Sequence, residues 1–243
     1  TGSSLSIACG RLAYVFGLHG PCASYDTACS AALVACHSGY RALQLLECGV
    51  ALAAAVSLML TPTIGTSFAV AGMTSAGGRS FTFDVRADGY VRGEGCGSVA
   101  LSRGAEDSTA TLQGSAVRQD GRSASLTAPN GQAQQGLILA ALKDADMRVD
   151  ALVLNEAHGT GTALGDPIEA GSLAASVLLA REEAYSAGGA LPGVAHADAL
   201  ALGGVKANIG HAEPAAGITG LLKLVLGLRR TTVVPNSQLR ALN

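Results

Sequence analysis

Short apolar runs alternate with longer amphipathic or small-residue runs along the whole chain, and polar residues gather directly after the apolar runs. Strands and helices that follow one another in this way are the pattern of an α/β fold. Open α/β sheets bind ligands beyond the carboxyl ends of their strands, so the polar clusters mark where chemistry is expected. A short strand is expected around 22–26 and a helix from about 29 to 48. That helix carries Leu33, Cys36, Tyr40 and Leu43 at three- and four-residue steps, with Gly49 placed to end it. "VALAAAVSLML" at 50–60 reads as a fully buried strand. Residues 61–95, rich in Gly, Thr and Ser, read as an irregular connection, and a connection of that length is expected to be functional. "GCGSVAL" at 95–101 resumes a strand. Charge rises at "SRGAEDST", 102–109, where a seam between two halves, 1–104 and 105–243, is expected.

The second half repeats the alternation without repeating the sequence. "ATLQGSAV" reads as a strand and "NGQAQQGLILAALKDADM" as a helix. "VDALVLNEAHG" is a strand ending in polar residues. "DPIEAGSLAASVLLA" opens a helix with Asp166 as N-cap, Pro167 at the first helical position and Glu169 as capping-box partner. "LALGGVKANIGH" is a strand leading into a loop, and "PAAGITGLLKLVLGLRR" a last helix.

Hydrophobic residues make up 49% of the 243 and charged ones 14%, the balance of a chain with a well-buried core. The net charge of −2, the lack of tryptophan and 4% aromatics exclude a nucleic-acid partner from the expectations. The longest apolar runs are too short to span a bilayer. Six cysteines, at 9, 22, 29, 36, 48 and 96, form neither a CxxC pair nor a zinc spacing with histidine. No metal is expected, and a reduced intracellular setting, cytoplasmic or organellar, fits them best.

Three strings hold residues suited to chemistry. In "DTACSA", 26–31, Asp26 or Thr27 is placed to cap a following helix, and Cys29 would face its unpaired N–H groups and the positive end of its dipole. That setting lowers a thiol pKa from about 8.5 and lets the same amides hold an oxyanion. Two readings of this stretch stand level: a nucleophile, or a small buried core cysteine. His158, in "EAHGTGTALGDPIE", ends an expected strand, followed by a glycine-rich loop with two threonine hydroxyls; it either meets a ligand or satisfies a turn. The string is no dinucleotide fingerprint, because Leu164 stands where Gly or Ala is needed. His211, in "KANIGHAEP", is flanked by Lys206, Asn208 and Glu213; a Lys–Glu pair there is either a surface pair or a means of fixing the loop. Together Cys29, His158 and His211 make a coherent Cys–His–His set. His19, His37 and His196 carry no such context.

These strings, with "FDVRADGYVRGEGCG" at 83–97 and "GSAVRQDGRSASLTAPNG" at 114–131, closely resemble the β-ketoacyl synthase domains of type I polyketide synthases, over essentially the whole chain. The resemblance implies a thiolase-like fold of α-β-α-β-α layers from two similar halves, incomplete at both ends, and a homodimer. It implies decarboxylative Claisen condensation: Cys29 takes an acyl chain from a phosphopantetheine thioester, and a malonyl-type extender on an acyl carrier protein supplies the attacking carbanion. His158 and His211 match the paired histidines that hold the extender carbonyl, with their division of proton handling left open. Lys206 matches the family lysine, with Glu213 as partner and Asn208 in support, and Thr160 and Thr162 match the threonines that contact the pantetheine arm. No tightly bound cofactor is implied. The acyl carrier protein is the implied partner, beside acyltransferase and other domains of one synthase.

The chain departs from the family pattern in several places. It opens at Thr1 without an initiator methionine and stops before the family's glycine-rich closing segment, so a fragment of a longer protein is expected. Tyr25 replaces a small aliphatic residue, "SAGGR" at 75–79 replaces a Ser-Pro-Asp-Gly-Arg turn, and 184–202 match poorly. A fatty-acid-type 3-oxoacyl synthase is the alternative function. A degradative thiolase fits less well, because a second cysteine would replace the histidine pair. A non-catalytic carrier-protein-binding domain fits less well because Cys29, His158 and His211 are all present.

Overall fold

Eight consecutive residue pairs frame the first part of the fold, where Val50–Ser57 (β1) runs antiparallel to Gly95–Ser102 (β2), Val50 opposite Ser102 and Ser57 opposite Gly95. The computed structural model describes residues 4–104, 106–186 and 200–243. The chain forms two compact units. The first gathers Thr1–Leu58, Glu94–Thr109 and Ala212–Thr219, and the second Met59–Gly93, Ala110–His211 and Gly220–Asn243.

In the first unit, β1 is not the fully buried strand expected. Ala53 and Ser57 are buried, whereas Val50, Leu52, Ala54 and Val56 on the opposite face are exposed. Side chains alternate across a strand, and the helix α2, Ala31–Gln44, covers one face only, approaching Ala51 at Gly39. This helix is also shorter than expected. It follows a 3-10 turn, Ala28–Ser30, and closes when Leu46 N donates to Leu43 O and Glu47 N to Ala42 O, with Leu46 at φ 62°. Those crossed bonds are a Schellman closure, in which the left-handed position usually belongs to glycine. A leucine fills it here, which is why the pattern points on to Gly49. Among the described residues this unit also holds α1, Leu5–Phe16, and the first turn of a long helix that starts at Ala216. There Gly217 meets α2 at backbone range: a Cβ on it would lie 2.6 Å from Leu33 Cγ. Residues 22–26 form no strand, since they pair with no other strand among the described residues.

The second unit holds a short parallel pair, Leu154–Glu156 (β3) and Ala201–Gly203 (β4), with Leu154 opposite Ala201. The strand expected over 149–159 shrinks to three residues because Val149–Ala151 curls into a 3-10 turn. A helix α3, Pro62–Val70, lies inside the stretch read as irregular; its proline at the first turn was the available signal. Residues 110–117 pair with no strand among the described residues, and Ser115 N donates instead to Asp144 Oδ2, 2.9 Å. Helix α4, Gly131–Asp144, is capped by Asn130, whose Oδ1 accepts from Gln132 N and Ala133 N. It packs against α5, Gly165–Leu173, which continues through a π-helical stretch, Ala174–Leu178, into α6, Leu179–Ser186. The short α7, Lys206–Ile209, precedes His211, and α8, Ala216–Arg230, is the last helix, as expected. His196 lies outside the described residues. No helix among those described is long and apolar enough to cross a membrane.

A carboxylate fastens the end of the chain to this unit. Asp84 is fully buried and accepts from Arg86 Nε at 2.7 Å, Arg240 N at 2.6 Å and Ala241 N at 3.2 Å. Val85 N donates to Ala241 O, and Asn236 Nδ2 to Thr82 O. The Arg86 guanidinium, opposed by burial and joined by the amides, holds the Asp84 carboxyl well below the usual carboxylate range.

Two outcomes test this reading. Ile218, 1% exposed, sits in the first unit's core, so Ile218→Ala is expected to cost about 3 kcal/mol in urea unfolding. The Asp84 contribution is complete above the unfolded aspartate pKa of about 3.9 and is lost as pH falls below it. Asp84→Asn is therefore expected to weaken the protein at neutral pH and to flatten the acid side of its stability profile.

Candidate active site

Cys29 lies half-buried in the 3-10 turn that leads into α2. The residue before it, Ala28, has φ 52°, a left-handed conformation that costs a non-glycine residue energy. The turn is held by its own polar groups: Thr27 Oγ1 and Ser30 Oγ are 2.8 Å apart, Ser30 Oγ donates to Thr27 O, and Ala28 N donates to Asp26 Oδ1 at 3.4 Å. The expected cap on α2 is not made. Its N-cap is Ser30, without a side-chain cap, because the polar side chains are spent one turn earlier. Glu213 belongs to the same unit. It opens the 3-10 turn Glu213–Ala215 at φ 41°, and that turn packs against Ala28–Ser30.

The histidines belong to the second unit. Their rings are 5.7 Å apart and nearly perpendicular, at 88°. His211 is fully buried, with its ring 4.9 Å from that of Tyr90. Its backbone is pinned on both sides: His211 N donates to Val91 O and Gly93 N to His211 O, each at 2.8 Å. His158 is exposed; its backbone N–H donates to Glu169 Oε1 at 2.5 Å, and its carbonyl accepts from Lys206 Nζ. Burial, then the Lys206 charge, lowers the His158 pKa to about 4. For His211, burial, Lys206 and His158 lower it to about 3. Both rings are therefore neutral at pH 7, each with one N–H to donate and one nitrogen to accept.

The loop after His158 is built on two carboxylates, half-buried Glu169 and buried Asp166. Glu169 Oε2 accepts from Gly159 N at 2.8 Å. Asp166, 1% exposed, accepts from Phe83 N at 2.7 Å, Gly161 N at 3.1 Å and Thr162 N at 3.3 Å. These two residues are not the cap and capping-box partner expected of α5: the helix starts at Gly165, and both carboxylates turn back to the loop. Burial raises the pKa of each against the pull of these amides. Thr82 Oγ1 donates to Gly159 O, and Gly89 N to Gly161 O. Gly161 is required here: at φ 81°, a Cβ on it would lie 2.7 Å from Phe81 N. Thr160 and Thr162 hold their hydroxyls 3.4 Å apart. Asn208 donates from Nδ2 to Pro235 O and accepts at Oδ1 from Ser237 N, which anchors the last segment to α7. Within this unit His158, His211, Lys206, Thr160 and Thr162 thus share one connected set of loops.

Residues 1–107 match the family model described as "Beta-ketoacyl synthase, N-terminal domain", and 109–240 match "Beta-ketoacyl synthase, C-terminal domain". The chain belongs to the β-ketoacyl synthase family. It is similar to one subunit of the phenolphthiocerol/phthiocerol polyketide synthase of Mycobacterium tuberculosis, 46% identical over 242 residues, which cover 97% of this chain and 15% of that protein. With another subunit of the same synthase it shares 41% over 249 residues, covering 100% of this chain and 13% of that protein. Among solved structures, the ketosynthase from module 6 of the bacillaene synthase of Bacillus subtilis 168 matches with a TM-score of 0.88 and 34% identity, over 100% of this chain and 42% of that one. An oxazolomycin ketosynthase domain of Streptomyces albus JA3453 matches with a TM-score of 0.88 and 36% identity, over 100% and 41%. The fold is the thiolase-like α/β fold of these ketosynthase domains.

Residues that the sequence reading did not assign also shape this ketosynthase loop set. Glu156, at the end of β3, pairs with Lys223 Nζ at 2.6 Å and accepts from Val205 N at 2.5 Å, so it fixes the residue next to Lys206. Tyr90 and Thr82 lie in or beside the "FDVRADGYVRGEGCG" string, whose match signalled importance without a role.

The electrostatics give a direct test. Removing the Lys206 charge in Lys206→Met is expected to raise both histidine pKa values while burial keeps them below 6.5. Ring-proton NMR titration reads both. Unchanged values in the variant would remove Lys206 from the electrostatics of the pair.

Proposed function

We propose that this chain is the condensing region of a polyketide synthase, a β-ketoacyl synthase that builds a carbon–carbon bond by decarboxylative Claisen condensation. The observation that carries this reading is the presence of Cys29, His158 and His211, each in its family motif, in a chain 46% identical to part of a polyketide synthase over 97% of its length. That identity favours polyketide over fatty-acid use.

In the first step the Cys29 sulfur attacks the carbonyl of an acyl chain carried on phosphopantetheine, and the carrier thiol leaves with a proton. The start of α2 supplies backbone N–H groups that the helix itself leaves unpaired, the kind of donor an oxyanion needs. A malonyl-type extender on an acyl carrier protein then loses carbon dioxide. Neutral imidazoles suit this decarboxylation: His158 and His211 each have an N–H to give to the extender's thioester oxygen, where enolate charge develops. The enolate carbon attacks the acyl-cysteine carbonyl, the Cys29 thiolate is expelled, and a β-ketoacyl thioester two carbons longer remains on the carrier.

Lys206 is a positioning and electrostatic residue in this reading: its ammonium holds the His158 carbonyl and keeps both rings neutral. Thr160 and Thr162 offer hydroxyls to the pantetheine arm, Asn208 supports the loop from α7, and Glu213 supports the turn beside Cys29. A homodimer, the acyl carrier protein and neighbouring acyltransferase domains are the partners this function calls for.

The experiment is acylation of the full-length protein that carries this chain by an acyl thioester, read by mass spectrometry of the Cys29 peptide. Cys29→Ala is expected to take no label. His211→Ala is expected to acylate normally and to lose condensation by about 100-fold or more. Labelling of Cys29→Ala would reject the nucleophile, and full condensation by His211→Ala would reject the role of the pair.

A further inference from the structure

His158 and Gly159 carry four polar backbone groups, and each has a partner. His158 N and Gly159 N donate to the Glu169 carboxylate, and His158 O accepts from Lys206 Nζ. The fourth group, Gly159 O, accepts from the hydroxyl of Thr82 at 2.6 Å. The condensation chemistry itself gives Thr82 no part. Thr82 is fully buried, so no solvent stands ready to replace this bond. Its methyl lies against two segments of the site. A Cβ on Gly159 would stand 2.5 Å from Thr82 Cγ2, and one on Gly204, two residues before Lys206, 2.8 Å. The Thr82 backbone is itself held: its carbonyl accepts from Asn236 Nδ2 at 2.8 Å, and Phe83 N donates to Asp166 Oδ2 at 2.7 Å.

We propose that Thr82 is a positioning residue for the condensation, its hydroxyl fixing the angle between the His158 turn and the threonine loop that follows. The inference rests on the ketosynthase reading, in which His158 meets the extender's thioester and Thr160 and Thr162 meet its pantetheine arm. Glu169 and Lys206 hold this turn only as far as Gly159 N. Gly159, at φ 47°, has no Cβ to stop the next peptide from rotating, and that peptide carries the chain into Thr160. The bond from Thr82 to Gly159 O stops it. An extender held by its arm then brings its thioester to the His158 ring in one register.

The substitutions are made in the full-length protein that carries this chain. Thr82→Val removes the hydroxyl and keeps the methyl and the branched shape. Thr82→Ser and Thr82→Ala both lack the methyl and differ in the hydroxyl alone, so they repeat the comparison where the valine variant fails to fold. Thr82→Val and Thr82→Ala are expected to acylate Cys29 at the wild-type rate. Their kcat for condensation is expected to fall about 10-fold or more, with KM for the extender within about threefold. Thr82→Ser keeps the bond and is expected to stay within about threefold of wild type in kcat. Hydrogen exchange of the Gly159, Gly161 and Thr162 amides is expected to quicken about fivefold in the variants without a hydroxyl, and not in Thr82→Ser. Wild-type kcat in the variants without a hydroxyl overturns the proposal, even with lower thermal stability, since Thr82 is then structural only. An equal loss of kcat in Thr82→Ser also overturns it, because the methyl is then what matters. Wild-type protein that forms no β-ketoacyl product rejects the ketosynthase reading instead. The exchange comparison then decides the loop contact by itself, and equal exchange in all variants overturns it.

Discussion

Two carboxylates, buried Asp166 and half-buried Glu169, gather the backbone on which the rest of the second unit's site depends. Asp166 takes the amides of Phe83, Gly161 and Thr162, and Glu169 those of His158 and Gly159. Burying a carboxylate costs several kcal/mol. Each amide bond to a charged acceptor returns roughly 1.5–3 kcal/mol, and the Lys206 ammonium adds attraction, so the ensemble is near balance only while every bond is made. The raised carboxyl pKa values show that burial weighs more than the amides and Lys206 together. A loop held in that way has one geometry. Moving it by the length of a hydrogen bond strands a buried acceptor, so the threonine hydroxyls and the His158 backbone hold their places without substrate.

The same low-polarity surroundings determine what the histidines can do. Burial is the first cause of both lowered pKa values and Lys206 the second. An imidazolium would be a strong but fully committed donor. A neutral ring can donate from one nitrogen and accept at the other, which is what the proposed condensation asks of the pair. Lys206 thus acts twice, as a structural donor to His158 O and as the charge that keeps both rings unprotonated. Glu156 and Lys223 guard that arrangement from behind, because Val205, the residue before Lys206, is hydrogen-bonded to Glu156.

The family was legible in the sequence because its motifs are, and less of the scaffold was. His158 and His211, singled out from strings in which a polar residue follows an apolar run, do come together in the fold. The helices α4, α5 and α8 were legible as long amphipathic or small-residue runs, α5 with its proline in the first turn, though not its cap. What failed was context. Leu46 closes α2 in a position where glycine is the readable signal, and the alternation of burial in β1 depends on a helix covering only one face. Residues 22–26 and 110–117 have strand-like composition, but a strand needs a neighbour, and local sequence does not record one. Asp166 and Glu169 were misread for a more instructive reason. Their spacing fits a capping box, and they do bind backbone amides, but those of the preceding loop and of Phe83, which are set by tertiary structure alone.

The turn around Cys29 shows how far a local reading can reach. The helix start was sufficient to suggest a reactive thiol, yet α2 is uncapped and the polar side chains of 26–30 bond among themselves one turn earlier. That places the sulfur on a strained turn, not on the first turn of an ordinary helix. Left-handed Ala28 and left-handed Glu213 open two turns that pack against each other in the first unit. Strain of this kind persists only where surrounding contacts overdetermine it. Each turn is the other's contact. The conformation of the Cys29 turn is therefore coupled through packing to the turn at Glu213–Ala215 within the first unit.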